Sequence, residues 1–200
     1  MRLAPGGARL VAVWLAVALL GAIAVHPAAG LLAGALALAM AAFYRDPDRA
    51  PPAEGIVAPA DGRVHAVEAT DDGRLEVVIF LNLWHVHVVR APWAGRVDRV
   101  ERVAGHRRPA FLASAAENAG IRLDLDGGRV TMQAGLVARR VRAYVAAGEA
   151  VDRGERVGHI AFGSRVAVTL PEGVDREAVR VAVGDRTRAG ETRLTADSVA

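Results

Sequence analysis

Three short stretches carry residue types that do chemistry. In Pro59-Ala60-Asp61-Gly62 a carboxylate precedes a glycine, and alone that pair is the signal of a hairpin turn. Trp84-His85-Val86-His87 follows Asn82 on an expected strand, where alternation puts residues 85 and 87 on one face. Two histidines on one face begin a metal site, but no third histidine or nearby carboxylate completes the set, so no metal is expected. Each reads equally as a structural histidine. Phe162-Gly163-Ser164-Arg165 lies between two expected strands, and taken alone it is a bulge or tight turn at glycine.

Composition narrows the chemistry. The 200 residues include no cysteine, which excludes disulfides, thiolate nucleophiles and Cys-based metal sites. They include no lysine either, so all 25 basic residues are arginine. The chain therefore has no internal Schiff base to pyridoxal phosphate and no amine nucleophile. Any carbanion chemistry on an amino acid needs a carbonyl from another source. Lipoyl- and biotin-carrier barrels, which the Asp-Gly turns and Gly154-Glu155-Arg156-Val157-Gly158 also resemble, are excluded because they modify a lysine. The formal charge of +3 suits an anionic surface. The arginines are scattered with little aromatic interleaving, so nucleic acid is not an expected partner.

The elements that must position these residues fall into three parts. Leu10 to Val25 is uninterrupted apolar sequence and Leu31 to Tyr44 nearly so, with His26, Pro27 and Gly30 between them. Pro27 interrupts any helix there. Each run is shorter than the ~20 residues of a simple span. Residues 1–45 are therefore expected as a membrane-associated helical hairpin, with both ends on the arginine-bearing cytoplasmic side of the cell membrane. A cleaved signal peptide with small residues at Ala28-Ala29 is the alternative, and the second apolar run argues against it. Residues 46–54, with Pro47, Pro51 and Pro52, form an extended linker.

Residues 55–200 read as short strands separated by turns. Arg63 to Val67, Leu75 to Leu81, Val86 to Val89, Val97 to Val103, Val130 to Gln133, Val141 to Val145, Val157 to Phe162 and Val166 to Leu170 carry the β pattern. Asp72-Gly73 and Asp126-Gly127-Gly128 are turn signals. Ala110 to Ala119 is a candidate helix. The expected fold class is mostly β (α+β), a compact β-sandwich or distorted barrel with an N-terminal apolar helical hairpin.

Taken together and in order, several segments resemble the short form of the phosphatidylserine decarboxylase family. They are Phe43-Tyr44-Arg45-Asp46-Pro47, Ala58 to Val64, His87-Val88-Val89-Arg90-Ala91-Pro92 with Gly95-Arg96-Val97, Gly135 to Arg140, and Gly154 to Val166. The resemblance covers nearly the whole chain. At Glu117 to Arg122 and at His85 the sequence departs from the common family pattern.

The resemblance implies a proenzyme that cuts itself between Gly163 and Ser164, giving a large chain of residues 1–163 and a small chain of residues 164–200. Ser164 becomes a covalent pyruvoyl group, the only expected cofactor. Asp61 and His87 match the family's aspartate and histidine. His87 then takes the Ser164 hydroxyl proton while Asp61 orients and stabilises the imidazolium. The implied reaction converts phosphatidylserine to phosphatidylethanolamine through a Schiff base on the pyruvoyl group. The implied partners are this lipid substrate, membrane lipids and the two chains of the cleaved heterodimer, with a homodimer of heterodimers as the family expectation. Arg45, Arg49, Arg107 and Arg108 are candidates to attract anionic headgroups, against the plain reading of solvated surface arginines. The rival readings are an inactive membrane-anchored β-domain that never cleaves and a metal-dependent hydrolase on His85 and His87.

Overall fold

A computed structural model describes residues 2–106, 108–109, 117–135, 141–161 and 164–196. The chain divides into two compact units, Met1–Asp48 and Arg49–Ala200.

In the first unit, α1 (Gly7–Ala24) and α2 (Pro27–Phe43) pack as a hairpin, and β1 (Arg2–Leu3) pairs antiparallel with β2 (Arg45–Asp46). The turn follows from its residues. The His26 ring nitrogen Nδ1 accepts from the Ala28 N–H at 3.2 Å and caps α2. Pro27 then occupies the first helical turn, where its missing N–H costs nothing. Small residues let the helices touch, since a Cβ at Gly30 would lie 2.5 Å from Ala22 Cβ. The outer surface stays apolar and exposed, including Leu19, Leu20, Ile23, Leu31, Leu32 and Leu38. α1 is long and apolar enough to cross a membrane, and its 18 residues extend about 27 Å at 1.5 Å per residue.

The second unit is built on an eight-stranded, wholly antiparallel sheet curled into a half-barrel. In spatial order its strands are β10 (Ala150–Val151), β6 (Gly95–Val103), β7 (Gly120–Leu125), β8 (Gly128–Ala134), β12 (Ser164–Thr169), β4 (Leu75–Leu81), β3 (Gly62–Ala69) and β13 (Arg186–Thr187). A second sheet holds β5 (Val88–Arg90), β11 (Arg156–Ile160) and β9 (Val141–Ala143). This mostly-β, α+β architecture agrees with the sequence reading.

Alternation along the central strands drives one apolar face inward. Val64, Val77, Ile79, Leu81, Val130, Met132, Val166 and Val168 meet Ile160, Val89 and Trp93 in a single core. Each such side chain contributes on the order of 1.5–3 kcal/mol on burial. The β7–β8 turn is the one expected at Asp126-Gly127: both residues have positive φ, 39° and 80°, which matches the twist of the strands they join. Pro-rich residues 47–52 form no helix and no regular strand. The candidate helix over residues 110–119 lies largely outside the described residues.

Candidate active site

Ser164 opens β12, the strand fifth in the eight-strand order. It pairs with Leu81 of β4 on one side and Ala134 of β8 on the other. With both neighbours in place its exposure is 0%, and its Oγ makes no hydrogen bond among the described residues. A buried hydroxyl without a partner is an energetic exception that calls for a reason. Arg165, next along, belongs by alternation to the opposite face of the sheet. Burial depresses its pKa, and Glu76 and Glu68 act against that. Gly163 and Phe162 lie outside the described residues.

His87 sits just before β5 and is 3% exposed. Its carbonyl oxygen accepts from the Ile160 N–H at 3.1 Å. Ile160 ends β11, four residues ahead of Ser164, so the backbone bond brings the histidine to the chain that leads into the serine. The expected strand over residues 84–87 is not formed. Trp84 and His85 lie in a turn, because Asn82 Oδ1 accepts from the Trp84 N–H at 3.0 Å and the Asn82 N–H donates to His85 Nδ1 at 3.1 Å. The turn removes the alternation that would have put His85 and His87 on one face.

Asp61 reaches the same region by a third path. The Val57 N–H donates to the Pro92 carbonyl at 2.9 Å, and the Arg90 N–H donates to the Pro59 carbonyl at 2.8 Å. These two bonds hold the segment that leads into Asp61 against residues 90–92, just after His87. On the other side, Arg63 pairs with Phe80, so Gly62 is level with Leu81 and through it with Ser164. Gly62 is not the positive-φ residue of a hairpin turn: it is the first residue of β3, and a Cβ there would collide with the Phe80 carbonyl oxygen and with Ile79 Cγ2. Glycine is required by close backbone approach.

The Asp61 carboxylate is held by a residue that the sequence reading had placed at the surface. Arg49 Nη2 donates to both Asp61 oxygens, at 3.1 and 3.0 Å, and the Ala189 N–H donates to Oδ1 at 2.8 Å. Arg49 Nη1 donates to Glu191 at 3.1 Å. The Arg49 side chain is only 5% exposed, so it is an interior ion-pair partner and not a solvated arginine. A carboxylate has about four lone-pair directions. Three are used here, which leaves one on Oδ2.

His159 lies within the segment Gly154 to Val166. It is buried beside the site strand, between Val88 of β5 and Arg142 of β9. The Tyr144 hydroxyl lies 2.8 Å from its Nδ1. Burial, with a smaller contribution from Arg142, pushes its pKa down to about 4. The imidazole is therefore neutral at physiological pH.

Comparison with known proteins shows the family. The family model described as phosphatidylserine decarboxylase matches residues 36–195. The chain belongs to the phosphatidylserine decarboxylase family. Three relatives illustrate the match. A putative archaetidylserine decarboxylase proenzyme of Halobacterium salinarum is 47% identical over 165 residues, covering 82% of this chain and 84% of the relative. Phosphatidylserine decarboxylase proenzymes of Thermobifida fusca and Streptomyces coelicolor are 45% and 46% identical, each covering 82% of this chain and 76% of the relative. No solved structure matches. Ser164, His87 and Asp61 of the present chain are all buried. Arg49 is the one their spacing could not reveal, because its role depends on a folded contact 12 residues away.

Proposed function

We propose that this protein is made as a proenzyme, cuts itself between Gly163 and Ser164, and then removes carbon dioxide from the serine headgroup of a membrane phospholipid, giving an ethanolamine headgroup. The observation that carries the reading is Ser164 itself: a fully buried hydroxyl with no hydrogen bond among the described residues, on a strand reached from His87 through Ile160.

Ser164 Oγ is a weak nucleophile until a base removes its proton. His87 is that base, and Asp61 supports the imidazolium through its remaining lone pair and its charge. Arg49 and the Ala189 N–H fix the carboxylate so that its orientation is already set. Oγ bonds to the Gly163 carbonyl carbon, the Gly163–Ser164 C–N bond breaks, and the nitrogen takes a proton, leaving an ester. Loss of the Ser164 α-proton then expels the carboxylate of residue 163. Water replaces the nitrogen of the residual enamine, which leaves as ammonia. The new carbonyl group stands at the head of residues 164–200.

The residues present fit such a group. The start of β12 is held on both sides by Leu81 and Ala134 and shielded from solvent. The pyruvoyl group, once formed, supplies a carbonyl that accepts the electron pair left when carbon dioxide departs. The buried walls around Ser164 exclude water from that pair. His87 donates a ring N–H proton to the carbon that lost the carboxylate.

The chain is accordingly read as residues 1–45 for membrane association, a linker at 46–54 and a catalytic domain at 55–200, cut into chains 1–163 and 164–200. The exposed apolar faces of α1 and α2 support membrane association, where a diacyl substrate resides, and the arginines flanking the hairpin support its cytoplasmic side. Two such heterodimers form a homodimer in this reading.

The test is an intact mass of the denatured protein, made with membranes, beside a Ser164→Ala control. Wild type should give two chains, the smaller spanning residues 164–200 and lighter than its serine-ended form by one ammonia. The control should stay whole. A folded, membrane-bound wild-type chain that remains uncut would overturn the proposal.

A further inference from the structure

One turn joins the strand beside Ser164 to His87, and it puts two large apolar side chains into solvent. Leu81 ends β4 and pairs with Ser164, and His87 comes three residues after Trp84. Leu81 and Val86 are buried at the two ends of the turn. Between them Leu83 is 52% exposed and Trp84 80%. Outside residues 1–45, Val183 is the only other exposed large apolar side chain among the described residues. Single exposed apolar residues call for no explanation, but an adjacent pair next to reacting groups does.

The turn holds this pair outward by its own bonds. Asn82 Oδ1 accepts from the Trp84 N–H at 3.0 Å, the Asn82 N–H donates to His85 Nδ1 at 3.1 Å, and the His85 N–H donates to the Asn82 carbonyl at 3.2 Å. Three backbone N–H groups are thus satisfied inside the turn, which lowers the cost of moving it into a medium poor in water. No Asp, Glu, Lys or Arg occurs from Leu81 to Val89, so none of those charges has to leave water with it. An indole has a large apolar body and one N–H, a combination suited to the headgroup level of a bilayer.

We propose that Leu83 and Trp84 dock the second unit on a phospholipid bilayer, at the level where the substrate's headgroup lies. The family acts on a phospholipid, whose acyl chains stay in the bilayer while its serine headgroup reaches the reacting groups. The end of the unit that carries Ser164 and His87 has to meet that surface, and the turn is covalently part of that end: one residue from Leu81, three from His87. A protein partner seated on the tip would stand between the lipid and these residues. The role in substrate access rests on the proposed function of Ser164 and His87, whereas the contact itself rests on the exposed pair. Two side chains are too small a surface to attach the protein alone. They set which end of the unit faces the lipid.

The test reads Trp84 directly and needs no turnover. The chain has three tryptophans: Trp14 in α1, Trp84, and Trp93 in the core. Two full-length chains carrying Ser164→Ala are compared on vesicles of phosphatidylcholine brominated near the headgroup end of its acyl chains. One also carries Trp14→Phe and keeps Trp84 and Trp93. The other carries Trp14→Phe and Trp84→Phe and keeps Trp93 alone. Flotation shows that each is bound, and the emission of buried Trp93 shows that each is folded. The first chain should be quenched, with emission shifted to shorter wavelength, and the second should show neither change. Equal quenching in the two floating chains, or none in either, overturns the proposal. A shift at Trp84 that grows with protein concentration without vesicles assigns the tip to a second copy and overturns it too.

In the self-cleaved protein, Trp84→Ser should raise KM for phosphatidylserine in vesicles about tenfold, the weight of one large apolar side chain removed from water. It should leave kcat unchanged, and with it the rate on a short-chain phosphatidylserine dissolved as monomers. Leu83→Ser should act in the same direction and is read instead if Trp84→Ser does not fold. Equal losses on the two substrates overturn the docking role. A chain that never cleaves yet shows the quenching overturns the reading of Ser164 and upholds the bilayer contact.

Discussion

The Ile160 N–H donates to the carbonyl oxygen of His87 at 3.1 Å. Through that bond the end of β11 is fixed against the histidine, four residues before Ser164. If His87 is the base for Ser164, replacing it with Asn keeps a polar side chain of smaller size while removing a group able to take the proton. His87→Asn should slow self-cleavage by a factor of roughly 10²–10⁴. The measurement is the fraction of two-chain product over time. Cleavage at the wild-type rate would remove His87 from the mechanism.

The Arg49–Asp61 pair gives a prediction on stability as well as on processing. Both side chains are largely buried, and Arg49 also pairs with Glu191. Arg49→Gln breaks both pairs and leaves the Asp61 charge with only the Ala189 N–H, and should destabilise the protein by about 3–5 kcal/mol, the usual range for stranding a buried charge. Asp61→Asn should cost less, because Arg49 keeps its Glu191 partner. The double variant should cost less than the sum of the two. Denaturant unfolding of the chains in a Ser164→Ala background checks this. Strict additivity would show that the pair is not coupled.

His159 makes stability depend on pH. Its pKa in the fold is about 4, against an ordinary 6.5. The unfolded chain therefore binds the proton first as pH falls. Stability from this group is complete above about pH 6.5, declines as pH drops toward 4, and is constant below that. His159→Gln should lack this component. The difference in unfolding free energy between parent and variant should shrink in that window, and a flat difference from pH 7 to 4 would refute it.

The hairpin of α1 and α2 should govern membrane attachment. Its exposed leucines and isoleucine form a larger apolar surface than a soluble protein ordinarily leaves bare. Deleting residues 1–45 should move the protein from the floating to the soluble fraction in a vesicle flotation assay. Persistent flotation would locate the membrane contact on the second unit.

Much of this was legible in the sequence because it depends on local rules. Runs of β-branched and apolar residues marked the strands at Leu75 to Leu81 and Val166 to Leu170, longer apolar runs marked the helices, and Pro27 marked the break between them. Ser164, His87 and Asp61 stood out by ordered resemblance to a family. What the linear pattern misjudged was local geometry set by distant atoms. Gly62 looked like a turn, yet glycine is there because β4 passes too close for a Cβ. His85 looked like a strand partner of His87, yet side-chain bonds at Asn82 fold it into a turn.

The sequence by itself determined that the 200 residues supply no thiol and no lysine amine, and so no internal Schiff base to pyridoxal phosphate. It also determined an apolar N-terminal hairpin ahead of a β domain. Only the tertiary structure decided which charges meet. Arg49 and Asp61 are 12 residues apart, Arg49 and Glu191 are 142, and Arg90 faces Arg156 across two strands. Such pairings arise from strand order and register. Those are set by how the whole apolar face is buried, and no spacing along the chain encodes them.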